Sequence, residues 1–252
     1  MKEDRFTNIA DIYEKFRPTY PDVLIEYLYS EVGFDSNNTL ADIGSGTGKL
    51  TELLLKQGNL VYGVEPNEDM RGVAENVLTN YKNFKSIDAS AEETGLADSS
   101  VDFITVAQAF HWFDAEKFKL ECQRILKNSG KVVLIWNDRD HASTELDNET
   151  KLINLEYCPN YKPSESIINE GPEQYDYFFT GGCCDYKIFK YNLSFDEDTF
   201  IGRHLSFSHA PKIDDRNYEP YISKLKLLFE KYSDSGILYM PYLTVCYVGK
   251  VN

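Results

Sequence analysis

A chain of 252 residues with 42% hydrophobic and 14% aromatic content can bury a full core as one large domain, residues 1–252. Its 41 acidic against 26 basic residues leave a formal charge of -15, which argues against nucleic acid and anionic membranes as partners. The opening MKEDRFTNIADIYEKF lacks an apolar export core and runs such as KVVLIW are too short to cross a bilayer, so a cytoplasmic location is expected.

From residue 21 to 137 helix-period and strand-like segments alternate, the pattern of βαβ units around a parallel sheet. PDVLIEYLYSEV places Val23, Leu24, Tyr27 and Leu28 on one helical face behind Pro21, read as the first helical residue. NTLADIG is a short strand, and TGKLTELLLKQG a helix that Gly58 stops. NLVYGVE is the second strand, residues 68–80 the next helix, FKSID a third strand and VDFITVAQAF a buried central one. Asp114 reads as the N-cap of a helix carrying Phe118, Cys122, Ile125 and Leu126, which ends at NSG before the strand KVVLIWN.

Beyond residue 138 the alternation lapses until about residue 182, and this stretch reads as an inserted lid over the sheet's ligand face. Tyr157, Tyr161, Tyr175, Tyr177, Phe178 and Phe179 there either enclose a pocket or pack the lid. YKIFKYNLSF is then a strand, YEPYISKLKLLFEKY an amphipathic helix with Tyr221, Ile222, Leu225, Leu228, Phe229 and Tyr232 inward, and YLTVCYVGKV the last strand. Five cysteines without C-x-x-C spacing fit a reducing compartment, and four scattered histidines give no support for zinc, so no metal is expected.

The segment Ala41-Asp-Ile-Gly-Ser-Gly-Thr-Gly-Lys49 carries the most chemical information. A phosphate-binding P-loop fails at two positions, Ile43 and Leu50, and the dinucleotide fingerprint fails because Lys49 stands where its third glycine belongs. With Asp42 beside the bend, the D-x-G-x-G-x-G spacing disfavours a pyrophosphate and suits a cationic ligand, such as the amino group and sulfonium of S-adenosylmethionine (SAM). Glu65 ends the second strand 19 residues beyond Gly46, where a carboxylate can accept from both ribose hydroxyls; a strand-end glutamate alone is more often a solvated surface group, and it is the spacing from the loop that favours the ribose.

YEKFRPTYP, ADIGSGTGKL, VYGVEPNEDM, AEETGLADSSVDFITVAQAFHWFD and RILKNSGKVVLIWN together resemble the class I SAM-dependent methyltransferases, within them the group that includes the trans-aconitate methyltransferases. The resemblance implies an α/β, doubly wound Rossmann-like sheet of seven strands with the last one antiparallel, and SAM across the carboxyl ends of strands one, two and four. It implies that Gly44, Ser45, Gly46 and Gly48 approach the cofactor, that Asp42 orients its amino-acid part, and that Glu65, followed by Pro66, holds the ribose. Ala91 and Glu92 match the adenine-side segment; Ser90 replaces an aspartate common in relatives, with Asp88 a possible substitute.

Gln108 would join the cofactor site, with Phe110, His111 and Trp112 in the substrate pocket. His111 is the candidate general base, although packing around the cofactor is the favoured reading for it and for Trp112. Tyr13 and Arg17 either reach a carboxylate of SAM or of the substrate, or belong to a segment covering the sheet. The implied activity is methyl transfer to a small-molecule acceptor, a carboxylate among the candidates, by a protein that is a monomer by default. The competing expectations are a SAM-binding protein without turnover and an NAD(P)-dependent reductase.

Overall fold

The structure is a computed structural model that describes residues 14–140, 144–163 and 171–251. Seven strands, β1 (Thr39–Ile43), β2 (Leu60–Val64), β3 (Phe84–Ile87), β4 (Val101–Ala107), β5 (Leu126–Arg139), β6 (Asp185–Phe195) and β7 (Leu238–Gly249), form one sheet in the order β3-β2-β1-β4-β5-β7-β6. Strands β1 to β5 are parallel, and β7 runs antiparallel to both of its neighbours, as the resemblance implies. The order reverses between β1 and β4, and in such sheets ligands bind outside the carboxyl ends of the strands at that reversal.

The two-residue period of each strand sorts the core into two faces. Ala41, Ile43, Ile104, Val106, Leu134 and Trp136 point to one, where α4 (Ala115–Ile125) covers them with Phe118, Cys122 and Ile125. Leu40, Phe103, Val133 and Ile135 point to the other. There they meet α1 (Asp22–Tyr27, continued by a π turn over Leu28–Val32), α2 (Lys49–Lys56) and α3 (Glu68–Val77). Local signals hold where they are strongest: Asp114 accepts the Lys117 amide as the N-cap of α4, and Gly58 follows α2 at φ +98°. Pro21 stands one residue earlier than read, as the N-cap of α1. Extended backbone begins at Leu126 directly after α4, so residues 128–130 lie within β5, whose register against β4 shifts between Val101 and Phe103.

The second half builds a third cluster on the ends of β6 and β7. Helices α5 (Glu145–Tyr157), α6 (Glu197–Leu205) and α7 (Tyr218–Tyr232) bury Leu146, Phe200, Tyr221, Leu225 and Phe229 against Phe195, Met240 and Tyr242. Inside it the Tyr221 hydroxyl donates to Asn154 Oδ1 at 2.9 Å, satisfying two buried polar groups. The aromatic run before β6 does not enclose a pocket: Tyr175, Phe178 and Phe179 pack into the sheet face beside Phe110 and Phe118, Tyr157 and Tyr161 pack around the helical cluster, and Tyr177 is exposed. Apolar rings gain more from the sheet face than from a water-filled cleft.

Candidate functional site

The chain leaves β1 through Gly44 and Gly46, both at positive φ (+69° and +57°). The amides of Gly44 and Ser45 donate to the Val64 carbonyl at 2.8 and 3.1 Å, tying the loop to the end of β2. A Cβ on Gly44 would stand 2.6 Å from the Ala109 Cβ, whereas one on Gly46 would meet nothing within 4 Å, so the loop is tight against β4 and open towards the crevice. Gly44→Ala is expected to cost roughly 2–4 kcal/mol of unfolding free energy, from left-handed backbone strain plus overpacking. Urea denaturation measures it, and a loss below about 1 kcal/mol would contradict this account of the loop.

Two clefts meet along Gly44, Gly46, Ala107 and Gln108. The first, about 970 Å³, is lined by Met70, Ala91, Ala109, Trp112 and Phe113, with Glu65, Pro66, Asn67, Ser90 and Glu92 at its polar edge. Apolar walls with a few acceptors suit a flat aromatic base and a sugar diol. The second, about 600 Å³, is lined by Arg17, Tyr20, Asp42, Ser45, Lys49, Asn137, Arg203 and Tyr242 among others, and its cations suit a carboxylate.

Glu65 sits at the exit of β2 with Oε2 accepting from the Gly46 amide and Oε1 from the Asn67 amide, each at 2.9 Å. Both oxygens therefore face the junction between glycine loop and first cleft. Asp42 reaches the second cleft from β1 while its oxygens accept the hydroxyls of Thr51 (2.6 Å) and Thr105 (2.9 Å). Burial pushes its carboxyl up to about 6, against the opposing pull of those hydroxyls.

The other expected residues divide. Ser90, Ala91 and Glu92 line the first cleft, and Glu92 also accepts the Asp114 amide at 2.8 Å, fixing the start of α4. Asp88 does not line the first cleft and instead accepts two hydrogen bonds of 3.0 Å from Arg71. Gln108 lines both clefts at φ +59°, rare for a side-chain-bearing residue, with its Nε2 donating to the Asn137 carbonyl at 2.6 Å.

Trp112 lines the first cleft, but Phe110 is turned into the core against Phe118, Tyr175 and Phe178, and leaves the predicted substrate pocket. His111 is exposed, lies against Trp112 and Trp136, and lines neither cleft, which favours its packing role. Gly48 opens α2 at φ +87°. Arg17 lines the second cleft, whereas Tyr13 lies outside the described residues. None of the described residues between 144 and 182 lines either cleft.

Sequence reasoning missed several lining residues. Tyr20, Lys49, Asn67, Met70 and Asn137 lie inside motif stretches already singled out, so their positions carried a signal. Arg203 and Tyr242 lie in the second half, where no motif points to them.

A methyltransferase-domain family profile matches residues 41–134. An uncharacterized methyltransferase of Schizosaccharomyces pombe is 36% identical over 156 residues, covering 60% of this chain and 59% of that protein. The chain thus spans little more than half the length of the curated relatives it matches. A solved type II methyltransferase candidate from Anaeromyxobacter dehalogenans superposes at a TM-score of 0.68 with 21% identity, over 94% of this chain and 98% of that one. An N-methyltransferase of Haemonchus contortus, solved with S-adenosylhomocysteine, superposes at 0.51 with 17% identity, over 96% of this chain and 57% of that one. Both share the Rossmann-like fold.

Proposed function

We propose that this chain, which carries a methyltransferase domain over residues 41–134, transfers a methyl group from SAM to a small-molecule acceptor, with a carboxylate as the acceptor class to test first. The observation that carries the reading is the meeting of two chemically different clefts along Gly44, Gly46, Ala107 and Gln108. One has apolar walls and the Glu65 carboxylate for a nucleoside; the other has cations for an amino-acid carboxylate. The N-methyltransferase solved with S-adenosylhomocysteine supports the same cofactor.

The residues present fit that cofactor. Gly46 leaves open the space a Cβ would fill, and Glu65 presents acceptors beside it. Ala91, Trp112 and Phe113 offer apolar contact to the base, while Arg17 serves the methionine carboxylate and Asp42 its ammonium. When bound, SAM supplies a methyl group on a sulfonium, an electrophile that needs no activation by the protein. The chain's remaining tasks are to orient an acceptor oxygen or nitrogen and exclude water. A carboxylate acceptor needs no proton removed, consistent with a cleft that His111 does not line.

Calorimetric titration with SAM, S-adenosylhomocysteine and NADH tests the cofactor, and product analysis with a panel of small carboxylic acids tests turnover. Micromolar binding of both SAM ligands without NADH is the expected result. Binding without product from any acceptor class would favour a SAM-binding protein that lacks turnover, and preference for NADH would overturn the reading.

A further inference from the structure

Resting on the SAM reading, we infer that Arg203 of α6 is a specificity-determining residue that grips an oxyanion, carboxylate or phosphate, on the methyl acceptor. Arg203 lines the second cleft, yet its Nε and Nη1 are buried without a hydrogen-bond partner among the described residues. A buried guanidinium edge left unsatisfied is costly, and its fork geometry matches a carboxylate or phosphate with two parallel bonds.

The surroundings hold this cation in place without neutralising it. A Cβ on Gly202 would strike the Phe16 ring at 2.4 Å, so that ring packs directly on α6 and docks the segment bearing Arg17 beside it. Arg17 donates to the Ser206 carbonyl at 3.2 Å. The Phe207 ring then carries both guanidiniums, with Arg17 Cζ 4.5 Å and Arg203 Cζ 4.3 Å from its centroid, and His209 stacked at 5.1 Å.

Asp147 pairs with Arg139, Glu14 pairs with Lys49, and Asp42 accepts the hydroxyls of Thr51 and Thr105. His204 and His209 add no charge, because burial and the adjoining arginines push both well down, His209 to about 4. In a chain of net charge -15, this cleft is lined by three cations, Arg17, Lys49 and Arg203, against one acid, Asp42.

Two anions need accommodating in such a site, the methionine carboxylate and the acceptor's. Arg17 belongs to YEKFRPTYP, one of the stretches that carry the resemblance to SAM-dependent methyltransferases, whereas Arg203 lies in the second half, outside all of them. That position assigns it to the acceptor, while Arg17 remains for the cofactor.

The test is calorimetry on the whole chain, with succinate and citrate as carboxylate probes and phosphate and O-phosphoethanolamine as phosphate probes, each titrated with and without saturating S-adenosylhomocysteine. The protein carrying S-adenosylhomocysteine is expected to bind one probe class, and Arg203→Gln to weaken that binding at least about tenfold while changing the affinity for S-adenosylhomocysteine less than about threefold. Arg203→Lys, which keeps the charge without the fork, should recover part of the loss. The proposal is overturned if neither class binds the loaded wild type, or if Arg203→Gln weakens S-adenosylhomocysteine as much as the probe. Failure of S-adenosylhomocysteine to bind at all would sink the cofactor reading instead, and the probes titrated without it would still judge the Arg203 anion site.

Discussion

Glu65→Ala is expected to weaken S-adenosylhomocysteine binding at least about a hundredfold while leaving the fold intact. Each Glu65 oxygen accepts one backbone amide, from Gly46 or Asn67, which aims the carboxylate at the first cleft, where a ribose diol would donate to it. Two bonds to a charged acceptor are worth roughly 1.5–3 kcal/mol apiece, and partial solvent access brings the pair towards the lower end. Losing the carboxylate also releases the Gly46 and Asn67 amides, which loosens the loop before any ligand arrives. Glu65→Gln keeps one acceptor oxygen and should lose about tenfold. Calorimetry reads both values. If 5′-methylthioadenosine, which retains the ribose but lacks the amino acid, binds the alanine variant as well as the wild type, the assignment of Glu65 to the ribose is wrong.

Asp42→Asn is expected to stabilise the protein above pH 7, by up to about 3 kcal/mol. The Asp42 carboxyl rises from an ordinary 3.8 to about 6 through burial. Between those values the folded state holds a proton that the unfolded state has released, so this group contributes stability at low pH that is lost as pH rises through about 6. Above that the folded chain carries a buried carboxylate solvated by the Thr51 and Thr105 hydroxyls and the Thr51 backbone amide. Asparagine removes the charge, and hydroxyls that both donate and accept can rotate to meet its amide. Thermal melts from pH 4.5 to 8 should show wild type losing stability relative to the variant across this window. Parallel profiles would refute the raised carboxyl. The same variant reports on the cofactor: a fall in S-adenosylhomocysteine affinity of about tenfold or more would place the carboxylate against the ligand's ammonium, and unchanged affinity would make Asp42 a purely structural residue.

What the amino-acid sequence determined by itself is the part that local rules control. Alternating apolar runs placed the strands, Asp114 and Gly58 bounded their helices, and the glycine spacing marked the tight loop at which the two clefts meet, because each depends on neighbours a few residues away. The tertiary structure decided the rest through contacts between distant segments. Thr105 meets Asp42 across 63 residues, and Arg17 meets Ser206 across 189. Phe110, inside a motif that pointed to the pocket, turned into the core because Phe118, Tyr175 and Phe178 arrive there to bury it. Asp88 pairs with Arg71 outside the cleft, and Arg17 joins Arg203 in one cleft where Gly202 lets Phe16 pack on α6. Periodicity tells a residue which face of its own element it occupies; which partner waits on that face is set by chain topology and packing, and those have no local trace.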